Sequence, residues 1–329
     1  MAGLSLGGSD VPLCRAYDAA LLDLDGVLYL GVDGVPHAAE SVASARRQGM
    51  RLAFVTNNSS RSGAAVAKQL TRLGIEAVPD EVVTSSQAIV RWLHSRLEQG
   101  SKVLVVGSED LASEVAEGGY RPVRIADGVR AVVQGLDPAT SWTDLAEASI
   151  AIRAGALWVA GNADTTYPSG RGPLPGNGAL VQALVTATGH RPAVVGKPEP
   201  ELILAGVQRV GSSCPLVVGD RLDTDVLAAV RAGCDSLLVL TGVSDRAALL
   251  AAPRGGRPTY VASDLRGLVE AHEAPVLSDG GARCGPSEAW YDGEQLCTSG
   301  PDDDALRAAC ALSWNRADDA AGDGAPTAS

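Results

Sequence analysis

The chain has 329 residues and a formal net charge of −12, with 46% apolar and 20% charged residues, which is a soluble globular composition with material for two ordinary domains. No basic stripe exists to neutralise a phosphate backbone, so nucleic acid is excluded as a partner. No apolar stretch approaches the roughly 18 residues of a membrane span, so membrane insertion is not expected.

The glycine- and serine-rich start lacks the basic and apolar regions of a secretion signal, and a cytoplasmic protein is expected. Its six cysteines form no C-x-x-C pair and no His/Cys cluster of zinc spacing, which suits inert thiols in a reducing compartment. Arginine is the default cation: there are 24 arginines and only three lysines, Lys68, Lys102 and Lys197.

The first apolar run begins at Ala19 and ends in Asp23-Leu24-Asp25-Gly26. A continuous run of this kind predicts a strand buried on both faces, as in a parallel sheet. Its terminal carboxylates either receive a cation or simply open an Asp-Gly turn. A helix is predicted over 38–48, then a strand over 51–56 closing in Thr56-Asn57-Asn58-Ser59-Ser60. Ser62 is placed to cap a helix reaching residue 73, with Gly74 as its stop, and a further helix is predicted over 87–99.

From residue 101 the alternation restarts. Strands are predicted at 102–106, 131–135 and 156–160, with helices at 143–153 behind Ser141 and at 178–188. The first pattern resumes at Val194-Val195-Gly196-Lys197-Pro198, followed by a helix over 199–210. A strand over 216–218 ends in Gly219-Asp220-Arg221-Leu222-Asp223-Thr224-Asp225, where Asp223 reads as a helix N-cap. A helix to 232, a strand over 236–240 and a strand–helix pair over 260–271 complete the sheet.

The fold expected is therefore α/β: a doubly wound parallel-sheet core over 1–84 and 192–274, interrupted by an α/β domain over 85–191. Residues 273–329 hold 11 acidic and 3 basic residues, or −8 of the net charge. Residues 275–329 are expected to form a small appendage docked on the core, with a hairpin near 290–295, a helix over 304–314, order to about residue 316 and disorder in the last dozen.

In a parallel sheet the ends of these strands share one edge, where ligands of open α/β sheets bind. Carboxylates, a hydroxyl and a lysine make a hard, oxygen-rich site that prefers Mg²⁺ to zinc or copper. Lysine rather than arginine at 197 brings a compact point charge.

The order D-L-D-G, a strand-closing threonine, G-K-P and G-D-x-x-x-T-D resembles the haloacid-dehalogenase (HAD) superfamily over about residues 17–272. The strings T-N-N-S-S-R, V-V-G-K-P-E-P and G-D-R-L-D-T-D resemble its branch with a large cap between the second and third motifs, which contains NagD-like and 4-nitrophenylphosphatase-type phosphatases. The resemblance implies a Rossmann-like core, a cap and a Mg²⁺-dependent phosphatase working through an aspartyl-phosphate. It implies Asp23 as nucleophile and Asp25 as acid and then base. Thr56, the Asn57 amide and Lys197 are implied to hold phosphoryl oxygens. It further implies Mg²⁺ on the Asp23 and Asp220 carboxylates and the Asp25 carbonyl, with Asp225 orienting that shell.

The loop Asn162-Ala163-Asp164-Thr165-Thr166-Tyr167-Pro168 is similar to the family's cap loop, which offers Asn162 and Asp164 to the leaving group unless the loop is only a Gly/Pro scaffold. Asn58 reads equally as a substrate contact or as part of a solvated turn. The substrate implied is a small phosphorylated metabolite, glycerol 3-phosphate first, with phosphoglycolate, pyridoxal phosphate or a nucleotide as alternatives. A homodimer through the cap is expected for this branch. The reading from another class is a regulatory binding protein on an inactive phosphatase core.

Overall fold

Ala19–Leu22 is fully buried and pairs in parallel with Pro215–Gly219, nearly two hundred residues away in sequence, in the register Ala19↔Pro215 to Leu22↔Val218. This computed structural model describes residues 6–167 and 172–322, and the chain falls into two units, Met1–Ala53 with Val210–Ser329, and Phe54–Arg209. The boundary between the units falls inside the strand Arg51–Thr56.

In the first unit, Pro215–Gly219 pairs with Asp235–Val239, and that strand with Tyr260–Ala262, all parallel. Parallel neighbours need crossover connections, and the helix Leu227–Ala232 supplies one of them. Leu21, Leu22, Leu216, Leu237 and Leu238 are fully buried, each worth roughly 1.5–3 kcal/mol on transfer from water. Arg51 donates its backbone N–H to the Asp18 carbonyl, which seats the start of the next strand beside Ala19–Leu22.

Residues after 275 form more structure than their composition suggested. Val276–Ser278, Gly281–Cys284, Ser287–Asp292 and Gln295–Ser299 make a four-stranded antiparallel meander, of which the expected hairpin is the second half. The helix runs Asp302–Gly322 rather than over 304–314, so order extends past residue 316; residues 323–329 lie outside the described residues. Three aspartates in its first turn favour the positive helix N-terminus. Ala308, Ala309 and Ala311 pack on Ala282, Cys284 and Ala289 of the meander. Leu306, Cys310 and Trp314 pack on Leu238, Leu249 and Val261.

The helix continues because Asp318 receives two 2.8 Å hydrogen bonds from Arg257, a buried guanidinium that also lies over the Trp314 ring. A charge buried in this way needs its partner. The sequence showed the acidic residues but not the arginine sixty positions upstream that holds one of them.

His272 is buried beside the Gly267 carbonyl, at 2.7 Å from Nε2, and burial lowers its pKa to about 4. The folded chain therefore stays neutral here to about pH 4, whereas the unfolded chain takes up the proton near pH 6.5. Between those values the unfolded state binds more protons. This contribution is complete above pH 6.5 and is lost as pH falls toward 4, up to on the order of 3 kcal/mol. Denaturant unfolding at pH 7 and pH 5 should show wild type losing more stability than His272→Gln; equal losses would remove His272 as the cause.

In the second unit, Phe54–Thr56 pairs in parallel with Val82–Thr84. A separate five-stranded parallel sheet has the order Ala193–Val194, Leu157–Ala160, Ala131–Gln134, Lys102–Val106, Arg121–Val123. The strand before Lys197 thus pairs with Leu157–Ala160 and does not resume the first sheet, as the sequence had suggested. Two apolar residues before a glycine fit either sheet, and local pattern does not choose between them. Leu104, Val132, Trp158, Ile152 and Leu184 form the core under helices Trp142–Arg153 and Asn177–Thr188.

The helix predicted over 87–99 is Ser85–His94, because the Thr84 hydroxyl accepts the Gln87 N–H and caps it earlier. His37, His94, His190 and His272 take no part in the constellations described below.

Candidate active site

In the first unit, Asp23 follows the strand Ala19–Leu22 directly and donates its N–H to the Val218 carbonyl at 2.8 Å. Asp220 follows Pro215–Gly219 directly, so the two parallel strands deliver both carboxylates at the same end of the sheet. Asp225 is returned to that end by a single π turn, Leu222–Val226. One carboxylate oxygen from each of the three lies within 4.8 Å of the others, and Asp220 and Asp225 are only 1% and 2% exposed.

Three carboxylates so close, two of them buried, repel one another unless a cation neutralises them. The donors are all hard oxygen, with no imidazole or thiolate among them, which fits Mg²⁺. The cluster is tightly cradled: a Cβ on Gly26 or Gly242 would overlap the Asp220 carboxylate, and one on Gly219 would overlap Asp225. Asp220 Oδ2 accepts the Val243 N–H at 2.7 Å, and Asp225 Oδ2 accepts the Arg221 N–H at 3.1 Å.

Asp25 is exposed at the turn beyond Asp23, and its carboxylate is not one of the three. Gly26 takes φ +85° there, a conformation that side-chain-bearing residues rarely adopt. Asp223 is not the helix cap expected: its carboxylate is bidentate to Arg221 at 2.8 and 3.0 Å, which holds its pKa below the ordinary carboxylate value. A guanidinium two residues away reaches it more readily than the helix N–H groups do.

In the second unit the strand-closing Thr56 is buried, and its hydroxyl accepts the Asn58 N–H at 3.1 Å. The Asn57 side chain is spent on the lysine's backbone. Its Oδ1 accepts the Lys197 N–H at 2.7 Å, and its Nδ2 donates to the Lys197 carbonyl at 2.9 Å. This two-point clasp fixes the backbone that carries the 4% exposed Lys197. A Cβ on Gly196 would overlap the Gly161 carbonyl and crowd Asn57, so glycine before the lysine is a steric requirement.

Asn57 is itself anchored, its carbonyl accepting from Ser85 Oγ at 2.7 Å and Asn162 Nδ2 at 2.8 Å. Sequence reasoning missed this role of Asn57; the amide's ability to pair with both sides of a peptide was the only available signal.

Asn162 is buried and spends its amide on structure. Its Oδ1 accepts the Asp164 N–H, its Nδ2 holds Asn57, and its carbonyl accepts from Asn177. These bonds brace the loop that also carries Asp164. Asp164 Oδ2 accepts from Asn57 Nδ2 at 3.4 Å. Asn58 Oδ1 accepts from the Ser60 N–H and hydroxyl, both at 2.7 Å, so it closes a local turn. Pro168 lies outside the described residues.

A parallel sheet that gathers three hard-oxygen carboxylates at its carboxyl edge is the arrangement of a cation-assisted α/β enzyme. The chain belongs to the haloacid dehalogenase-like hydrolases: that family's pattern matches residues 20–121, and the HAD-hydrolase-like pattern matches 194–268. It is 50% identical over 257 residues to the D-glycerol 3-phosphate phosphatase of Mycobacterium tuberculosis, covering 78% of this chain and 72% of the relative. It is 35% identical to the acid sugar phosphatase of Staphylococcus aureus, covering 70% of this chain and 89% of that one.

Among solved structures, it is similar to the glycerol phosphate phosphatase of M. tuberculosis in complex with magnesium. That match has a TM-score of 0.85 and 44% identity, over 93% of this chain and 92% of that one. The p-nitrophenyl phosphatase of Archaeoglobus fulgidus matches with a TM-score of 0.72 and 30% identity, over 77% and 98%.

Proposed function

We propose that this chain is a Mg²⁺-dependent phosphatase whose substrate is glycerol 3-phosphate, hydrolysed through an aspartyl-phosphate on Asp23. The observation that carries the reaction class is the Asp23/Asp220/Asp225 group, with its hard oxygen donors and glycine cradle. The substrate rests on the relative that is 50% identical and on its magnesium-bound structure.

In this reading an Asp23 carboxylate oxygen attacks phosphorus and the P–O bond to the alcohol breaks. Asp25, exposed at the turn, gives its proton to the departing alkoxide. Asp25 then takes a proton from water, whose oxygen attacks phosphorus, so that inorganic phosphate leaves and the Asp23 carboxylate is restored. Thr56, the Asn57 amide and Lys197 neutralise the phosphoryl oxygens as charge spreads over them. Asp23, Asp220 and the Asp25 carbonyl would hold the cation, with Asp225 orienting them. When bound, Mg²⁺ supplies further charge neutralisation at the phosphoryl group.

The segment 85–191 acts as the cap and selects the substrate through Asp164. The six cysteines, none in a disulfide, suit a cytoplasmic setting. A homodimer through the cap is part of the reading, with the largely exposed Trp142 as the side chain it would cover; sedimentation equilibrium reads it directly.

A panel of phosphomonoesters ranked by kcat/KM tests the substrate. Glycerol 3-phosphate is expected above phosphoglycolate, pyridoxal phosphate and nucleoside monophosphates, and any of these ranking first would replace it. The loop divides into two outcomes. Asp164→Ala should change the ranking of substrates, whereas Asn162→Ala should lower all of them together by loosening Asn57 and Lys197. The reverse pattern would exchange the two roles.

A further inference from the structure

Asp220 lies between two backbone segments far apart in sequence, the Asp25-Gly26 turn and residues 241–244. A Cβ at Gly26 and a Cβ at Gly242 would each overlap the Asp220 carboxylate, so both segments press against it. Two hydrogen bonds tie residues 241–244 to Asp220, and two more link that segment to its neighbours. The Val243 N–H donates to Asp220 Oδ2 at 2.7 Å, and the Ser244 N–H donates to the Asp220 carbonyl at 3.1 Å. Ser244 Oγ accepts the Leu222 N–H at 3.0 Å, which holds the start of the turn leading to Asp225. Across the carboxylate, the Thr241 hydroxyl donates to the Gly26 carbonyl and closes the ring of contacts.

The side chains between and beside these groups mark what the segment is for. Val243 is 71% exposed and contributes only its N–H, and Gly242 contributes only its lack of a side chain. Thr241 is half-buried and Ser244 is buried, and their hydroxyls go to the site's own backbone. A segment serving only packing would turn an apolar side chain inward here.

We infer that residues 241–244 are a positioning element for the cation site, in which the Thr241 hydroxyl locks the turn carrying Asp25 against Asp220, while Ser244 sets the start of the segment carrying Asp225. The two donor-bearing segments are thus held in register before any cation arrives. Preorganisation of this kind removes an ordering cost from binding, and groups that orient ligands are typically worth about 10–100-fold in metal affinity. This inference rests on the cation role proposed for Asp220.

The test uses the full chain stripped of metal and titrates it calorimetrically with Mg²⁺, beside thermal unfolding of the metal-free protein and kcat and KM for glycerol 3-phosphate. Thr241→Val keeps the shape and removes the hydroxyl; Thr241→Ser keeps the hydroxyl. Thr241→Val should weaken Mg²⁺ binding about tenfold and lower kcat at a fixed Mg²⁺ concentration, with metal-free unfolding within a few degrees of wild type. Thr241→Ser should restore Mg²⁺ affinity to within about twofold of wild type. Ser244→Ala should weaken Mg²⁺ binding by a similar factor.

Mg²⁺ affinity unchanged in both Thr241→Val and Ser244→Ala overturns the inference, as does a Thr241→Ser variant as impaired as Thr241→Val. If Thr241→Val does not fold, Ser244→Ala and Thr241→Ser decide: unchanged Mg²⁺ affinity in Ser244→Ala, or affinity lost about tenfold in Thr241→Ser, overturns the inference. Wild-type protein that binds no Mg²⁺ would instead refute the cation site itself, a result distinct from these.

Discussion

Asp23→Asn is expected to abolish turnover, by on the order of 10⁴-fold or more, while the protein keeps its fold. Removing the group proposed to form the covalent bond leaves only binding and electrostatic stabilisation, and losses of this size follow when a nucleophile is deleted. The substitution is nearly isosteric. Asp23 is half-buried at the end of a strand whose own four residues carry the packing, so unfolding should not confuse the result. Asp25→Asn should cost about 10²–10⁴-fold, the usual worth of a positioned acid and base. Phosphate release and circular dichroism on the same preparations check both. An Asp23→Asn variant with substantial activity would end the covalent reading.

The second large effect is on the cation. Chelation with EDTA should reduce phosphate release to background, and excess Mg²⁺ should restore it in full. Asp220→Asn should raise the Mg²⁺ concentration needed for half-maximal rate or remove activity altogether, since Asp220 is 1% exposed and its carboxylate is one of the three within 4.8 Å. Metal-free Asp220→Asn protein should be at least as stable as metal-free wild type, because one of three mutually repelling carboxylates is gone. Full activity in chelator would contradict the site.

Much of this was readable from the residues. Continuous apolar runs ending in Asp23 and Asp220 predict buried parallel strands with polar ends, and the structure pairs those two strands residue for residue. Ser62 and Ser141 cap the helices that their position in the sequence assigned to them, because capping is a local matter of one side chain and one N–H.

Long-range hydrogen bonds escaped. The Asn57 clasp on Lys197 spans 140 residues and the Thr241 bond to Gly26 spans 215, and no local pattern announces either. Ala193–Val194 went to the second sheet because two residues carry too little pattern to choose. The tail was underestimated for a related reason: small residues such as Ala308 and Ala309 look weak as core formers, yet they permit close packing on Ala282 and Ala289. Net acidity described the tail's surface and said little about its underside.

The covalent role of Asp23 is the claim on which the rest depends. Wild-type protein turning over glycerol 3-phosphate labelled in the phosphoryl group, with Mg²⁺, should be quenched in acid and digested. The account predicts label on the peptide containing Asp23, stable in acid and released by hydroxylamine as an acyl-phosphate requires. Turnover at full rate with no protein-bound label, or label on any other residue, would contradict it.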